Sequence, residues 1–194
     1  MPELSQRVGN FTDSVIRRMT RISNQYGAIN LSQGFPDFDP PKEIMDALAK
    51  AAYEGPHQYS ITYGAQNFRE ALAAKQGKAI HRIIDPNTEI VVTCGGTEAM
   101  MCAMMTICNP GDKVMVFSPF YENYGADAIL SGAEPIYIPL VPPEYEFDIR
   151  LVEQGFRDGA KAIIVCNPSP AERCSARRSL WPSGSWLSNM TPLW

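Results

Sequence analysis

The chain has 194 residues, 45% of them hydrophobic, enough apolar material for one large domain or one and a half small ones. Its formal charge of -4, from 17 Lys+Arg against 21 Asp+Glu, argues against a nucleic-acid partner. No apolar run approaches the roughly 20 residues needed to span a bilayer, the first ten residues lack a signal-peptide core, and five cysteines without metal-ligand spacing fit a reducing cytoplasm.

Residues 3–26 carry Val8, Phe11, Val15, Ile16 and Met19 at the spacing of one helical face, which predicts an amphipathic helix. Residues 29–41 are turn-rich, and Pro41 suits the first turn of a helix running to about Tyr53. A further helix is expected over 66–80. Glu89–Cys94 reads as a short buried strand, and Gly95-Gly96 turns it into a helix from Thr97 to about Cys108, which Asn109-Pro110-Gly111 ends. Strands are expected at 113–118, 134–140 and 161–166, with helical segments at about 121–131 and 148–158. Strands alternating with helices define an α/β fold with a mainly parallel sheet flanked by helices. Cys94, Cys102, Cys108 and Cys166 sit in apolar stretches and are expected to be buried small hydrophobes.

The strand–Gly95-Gly96-Thr97–helix junction is the most chemical local pattern. Two glycines allow a tight turn and close backbone approach to a ligand. The helix start offers unpaired N–H groups and the positive end of a dipole, which suits an anion, and Thr97 can add a hydroxyl. The spacing matches neither a P-loop nor a dinucleotide fingerprint, and the same pattern also serves as a plain turn. Glu98 in the first helical turn is most simply a partner for the dipole.

Five ordered blocks then carry a resemblance: Leu31-Ser-Gln-Gly-Phe-Pro-Asp-Phe-Asp-Pro-Pro41, Gln58-Tyr-Ser-Ile-Thr-Tyr-Gly64 leading into Phe68-Arg-Glu-Ala-Leu72, Val92-Thr-Cys-Gly-Gly-Thr-Glu-Ala99, Asp112-Lys-Val-Met-Val-Phe-Ser-Pro-Phe-Tyr121, and Ala162-Ile-Ile-Val-Cys-Asn-Pro-Ser169. Over residues 5–169 the chain resembles the N-terminal half of class I/II aminotransferases, pyridoxal-phosphate enzymes of fold type I, nearest the kynurenine, methionine and aspartate aminotransferase-like branch. The resemblance implies an N-terminal helix and arm over 1–41 and part of the cofactor-binding large domain over 42–169. It implies pyridoxal 5'-phosphate as cofactor, amino acid and 2-oxo acid substrates, a homodimer, and a cytoplasmic enzyme.

The family roles fall on particular residues. Gly95, Gly96 and Thr97 would hold the cofactor phosphate, Tyr121 would stack on its ring, and Asn167 would donate to the ring's phenolic oxygen. Tyr59 would reach the phosphate of the neighbouring subunit, and the Gly34 backbone would line the substrate carboxylate. Tyr63 is read as packing, and His57 and His81 match nothing catalytic. The lysine that bonds to the cofactor and moves the α-proton lies, in the family pattern, beyond position 194, so no catalytic residue is assigned. The partner of the 89–94 strand lies there too. A carbon–sulfur lyase of the same fold, or a non-catalytic module that binds a phosphate ligand or an intact paralogue, stays open beside the aminotransferase.

The pattern breaks after Ser169. Residues 170–194 hold all three tryptophans, no Lys and no Asp, and no helical or strand period. Codons can be chosen for Pro170–Trp194 that, read one register over, resume the family pattern. The tail is therefore read as an aberrant, frameshifted segment, expected to be disordered.

Overall fold

A computed structural model of the chain describes residues 3–11, 13–34, 36–55 and 57–166. The tail reading and Asn167 lie outside the described residues. The chain divides into two compact units, one made of Thr12–Ala99, the other of Met1–Phe11 with Met100–Trp194.

The first unit is built from helices. The single helix expected over 3–26 is two elements, a 3₁₀ turn at Gln6–Asn10 that belongs to the other unit and α1 at Val15–Tyr26 in this one. Gly9-Asn10 is a poor helical pair, and the Ser14 side chain caps the new start by accepting from the Arg17 amide at 3.4 Å. Gly27, at φ +59°, closes α1 in the left-handed region. Thr20 on α1 receives a 3.0 Å hydrogen bond from the Asn30 amide group. Asn30 Oδ1 in turn accepts from the Ser32 amide and hydroxyl at 3.0 and 2.6 Å. This short chain of bonds ties the 30–34 loop to the helix.

Two more helices follow, α2 at Lys42–Glu54 and α3 at Gln66–Ile80. Pro41 stands just before α2 rather than inside it, its carbonyl accepting from Ile44 at 2.9 Å. The strand expected at Glu89–Cys94 does not form. Residues 90–93 belong to no helix or strand, and no ladder partner lies beside them among the described residues. The Val92 amide instead donates to the Tyr63 carbonyl at 3.0 Å. A β-branched run supplies the conformation of a strand, whereas the strand itself needs a neighbour's backbone groups.

The helix α4, Gly95–Ile107, leads into the second unit. There β1 (Lys113–Ser118), α5 (Asn123–Leu130), β2 (Glu134–Pro139), α6 (Ile149–Arg157) and β3 (Ala160–Ile164) follow in order. The sheet order is β2-β1-β3, and both pairings are parallel. Lys113 faces Glu134 at one end of the first pair and Ser118 faces Pro139 at the other.

The central strand explains the layering. Side chains alternate across a strand, so Val114 and Val116 join Met104, Cys108, Ala133 and Ile164 in one cluster. Met115 joins Ile138, Val152 and Ala160 in the other. All three β1 residues are 0% exposed, as expected for a parallel strand covered on both faces. Each such side chain stabilises by roughly 1.5–3 kcal/mol. Helix α6 is stopped at its start by Asp148, whose side chain accepts from the Arg150 amide at 2.9 Å.

Cysteine burial departs from expectation. Cys108 is buried and Cys166 half-buried, but Cys94, just before α4, and Cys102, on a face of α4 that is not covered, are exposed. Among the described residues, no helix is long and apolar enough to cross a membrane, and no group of three or more His, Cys, Asp or Glu could hold a metal ion.

Candidate cofactor site

The start of α4 is shaped by its own backbone and two side chains. Gly95 sits at φ +80°, a conformation that costs a residue with a Cβ on the order of 1 kcal/mol. Its amide donates to the Thr93 carbonyl at 2.8 Å, and the Thr93 hydroxyl returns a 2.9 Å bond to the Gly95 carbonyl. Glu98 accepts from the Cys94 amide, so the acid read as a dipole partner also caps the helix start. Among the described residues, apart from chain neighbours and the helix's own backbone, a Cβ built on Gly95 or on Gly96 would meet no atom within 4 Å. The glycine backbone therefore faces open space at the positive end of a 13-residue helix. An anionic group can reach it, so these residues fit the phosphate of the expected cofactor.

Tyr59 lies on the loop before α3, at φ +45° and 99% exposed. The loop is held at its far end. The Tyr63 carbonyl takes the Val92 amide, and Gly64, at φ +103°, leaves no room for a Cβ beside the Val92 side chain. Tyr63 is exposed rather than packed. The Arg69 side chain, on α3, is buried and donates from Nε to the Gly64 carbonyl at 3.0 Å and from its terminal nitrogens to the Pro86 carbonyl and Gln66 Oε1. Gly34 is on an exposed loop with open space around its Cα. His57 Nε2 lies 2.6 Å from the Ala52 carbonyl, and His81 ends α3 at φ +54°, both structural positions.

In the other unit, the C-terminal ends of β1 and β3 carry the aromatic and polar groups, the end at which parallel α/β sheets present ligand sites. Tyr121 follows β1, is 48% exposed, and meets Tyr124 edge-on at 5.8 Å and 74°. Tyr124 is hydrogen-bonded to Cys166, two residues beyond β3. That bond first, and burial second, push its phenol up to about 12. Cys166 immediately precedes Asn167.

Two functional groups escaped the sequence reading. Arg69 falls at the helical spacing of Phe68, Leu72 and Ala73 on the apolar side of α3, and that placement was a signal that its charge is buried. The Tyr124–Cys166 bond had no signal, since it joins residues 42 apart in chain order whose types are common in cores.

A parallel sheet packed between helices defines an α/β scaffold, and the solved structures it resembles are fold type I aminotransferases. The family profile for aminotransferase class I and II matches residues 26–171, and the chain belongs to that family, whose cofactor is pyridoxal 5'-phosphate. It is 37% identical over 155 residues to the methionine aminotransferase of Escherichia coli, covering 80% of this chain and 40% of that protein. It is 31% identical over 188 residues to kynurenine–oxoglutarate transaminase 3 of Mus musculus, covering 91% and 41%. The solved N-succinyldiaminopimelate aminotransferase of Mycobacterium tuberculosis superposes with a TM-score of 0.79 at 31% identity, over 87% of this chain and 44% of that one. The chain thus spans less than half the length of these relatives.

Proposed function

We propose that the protein is a pyridoxal-phosphate-dependent aminotransferase, transferring an amino group between an amino acid and a 2-oxo acid as a cytoplasmic homodimer that serves amino acid metabolism. The observation that carries this reading is the open glycine backbone at the start of α4, where, among the described residues and apart from chain neighbours and the helix's own backbone, neither Gly95 nor Gly96 has an atom within 4 Å of its would-be Cβ. Gly96 and Thr97, with Gly95 beside them shaping the turn, hold the cofactor phosphate through amides and a hydroxyl, against the positive end of the helix. Tyr121 stacks on the ring, and Asn167 donates to its phenolic oxygen. Tyr59, projecting fully into solvent in the single chain, reaches the phosphate bound by the neighbouring subunit. The Gly34 backbone takes the substrate carboxylate. When bound, the cofactor supplies an electron sink that weakens the bonds at the amino acid's α-carbon. None of the lysines in residues 1–194 is assigned the proton transfer.

The domain reading goes with this proposal: residues 1–41 form the arm and N-terminal helix, and 42–169 contribute to the cofactor-binding domain. The test is a titration of the purified chain with pyridoxal phosphate, pyridoxal and inorganic phosphate. Saturable binding of pyridoxal phosphate, displaced by inorganic phosphate and at least about tenfold weaker for pyridoxal, is the expected outcome. Equal affinity for the two vitamers, or no binding, overturns the reading.

A further inference from the structure

Arg69 is 3% exposed, its three hydrogen-bond acceptors are neutral, and the charge it feels nearby is that of the exposed Asp85 carboxylate, which it helps to hold below the usual carboxylate range. A buried cation carries a large desolvation cost, so its place needs a reason. The acceptors supply one. The Gly64 carbonyl ends the loop that carries Tyr59. The Pro86 carbonyl lies in the 85–89 turn that leads through residues 90–94 into Gly95. Gln66 Oε1 opens α3 itself.

The two outer segments also touch each other. The Val92 amide donates to the Tyr63 carbonyl at 3.0 Å, and a Cβ on Gly64 would stand 2.6 Å from Val92 Cβ. Val92 is three residues before Gly95. A closed circuit runs from Arg69 to Gly64, across to Val92, back along the chain to Pro86, and to Arg69 again. A planar fork with donors in several directions can bridge acceptors that flank it on opposite sides, while an ammonium on one stem cannot. An apolar replacement would leave the Gly64 and Pro86 carbonyls without this partner.

We propose that Arg69 is a positioning residue of the cofactor-phosphate site: its guanidinium locks the Tyr59–Gly64 loop to the segment that enters Gly95–Thr97. One cation thereby sets, relative to each other, the part of the chain that grips its own phosphate and the part that reaches the neighbouring subunit's. This rests on the aminotransferase reading for its purpose, and on the geometry of residues 59–95 alone for its existence.

Two variants test it, Arg69→Lys, which keeps the charge and loses the fork, and Arg69→Gln. Amide hydrogen exchange comes first and needs no ligand. In Arg69→Lys, exchange at Val92 and through residues 59–64 rises about tenfold or more, while β1 and β2 exchange as in the parent chain. Unchanged exchange at Val92 and in the loop overturns the clamp, and the Lys variant decides the matter if the Gln variant fails to fold. The second readout is the ratio of pyridoxal to pyridoxal phosphate dissociation constants. A residue that only adds stability would weaken both vitamers together and preserve the ratio, whereas the clamp predicts that the ratio falls at least about fivefold. A parent chain that does not discriminate the vitamers ends the aminotransferase reading but leaves the exchange result to judge the clamp. A parent chain that discriminates them, with an unaltered ratio in Arg69→Lys, ends the positioning role and leaves the aminotransferase reading standing.

Discussion

Gly64 and Val92 are packed so closely that a Cβ on the glycine would stand 2.6 Å from Val92 Cβ and closer still to Cγ2, at a φ of +103°. Gly64→Ala therefore meets two penalties, backbone strain and overlap. The strain costs about 1–3 kcal/mol, and overpacking adds a similar amount. Trimming the neighbour in Val92→Ala removes the overlap with Cγ2 but leaves the overlap with Cβ and the strain. Urea unfolding of the two single variants and the double variant should show a coupling of about 0.5–3 kcal/mol, with the double variant more stable than the sum of the singles. Simple additivity would mean the two residues are not in contact.

Gly95 and Gly96 separate two uses of glycine at the α4 start. Gly95 needs its φ of +80°, whereas Gly96 has no positive φ, and both face open space. Gly96→Ala keeps the amide and removes backbone entropy from the unfolded chain, so it should stabilise by about 0.4–1 kcal/mol. Gly95→Ala should destabilise by about 1 kcal/mol or more and weaken the phosphate-bearing vitamer selectively. Thermal unfolding and the vitamer titration read both effects. Equal behaviour of the two variants would show that the conformation of Gly95 does not matter to the site.

Much of this architecture was readable in advance, and the failures share one cause. Gln66–Ile80 and Lys113–Ser118 fall where expected, because apolar periodicity and flanking turn residues are local signals. The 3–26 helix split at Ser14 because a side-chain cap outcompeted continuation through Gly9-Asn10. Residues 89–94 have strand composition but no ladder, and a ladder depends on backbone distant in sequence. The turn into α4 falls at Gly95-Gly96, where two glycines after an apolar run place it. The Pro86 acceptor of Arg69 lies 17 residues away, beyond the reach of local pattern. Exposure of Cys102 likewise depends on which face of α4 finds a cover.

Asp127 is an acid in a place that disfavours its charge. It sits on α5 at 4% exposure, and its Oδ2 has no hydrogen-bond partner among the described residues. Burial pushes its carboxyl above the ordinary Asp value. With the folded pKa raised, the native state keeps a proton that the unfolded chain has already lost. The stability of the acid form is complete below the unfolded pKa and falls as pH rises through the folded one. Asp127→Asn cannot ionise and escapes that loss. The Asn variant should be more stable at neutral pH, with the gap closing as pH is lowered toward the ordinary Asp value. Denaturant midpoints measured across this range would contradict the account if the gap did not change with pH.

Tyr124 should produce the opposite end of the pH profile. Its phenol is pushed up to about 12, first by the hydrogen bond to Cys166, then by burial. The ordinary tyrosine value is 10.0. Between these values the unfolded chain sheds the proton while the folded chain retains it, so folding stability falls as pH rises through that window and levels off above it. Cys166→Ala removes the leading cause and leaves the burial, so the phenol moves back toward its ordinary range without fully reaching it. Tyr124→Phe removes the group, and the stability loss attributable to it between pH 10 and 12 should disappear. Phenolate absorbance on titration of the parent chain should show a tyrosine that ionises later than the rest and is missing from the Phe variant. Because Cys166 adjoins Asn167, loss of this bond should also loosen the chain at the end of β3, read as faster amide exchange at Cys166. Identical titration curves for the parent and Tyr124→Phe, apart from one fewer ordinary tyrosine, would show that the bond does not hold the proton.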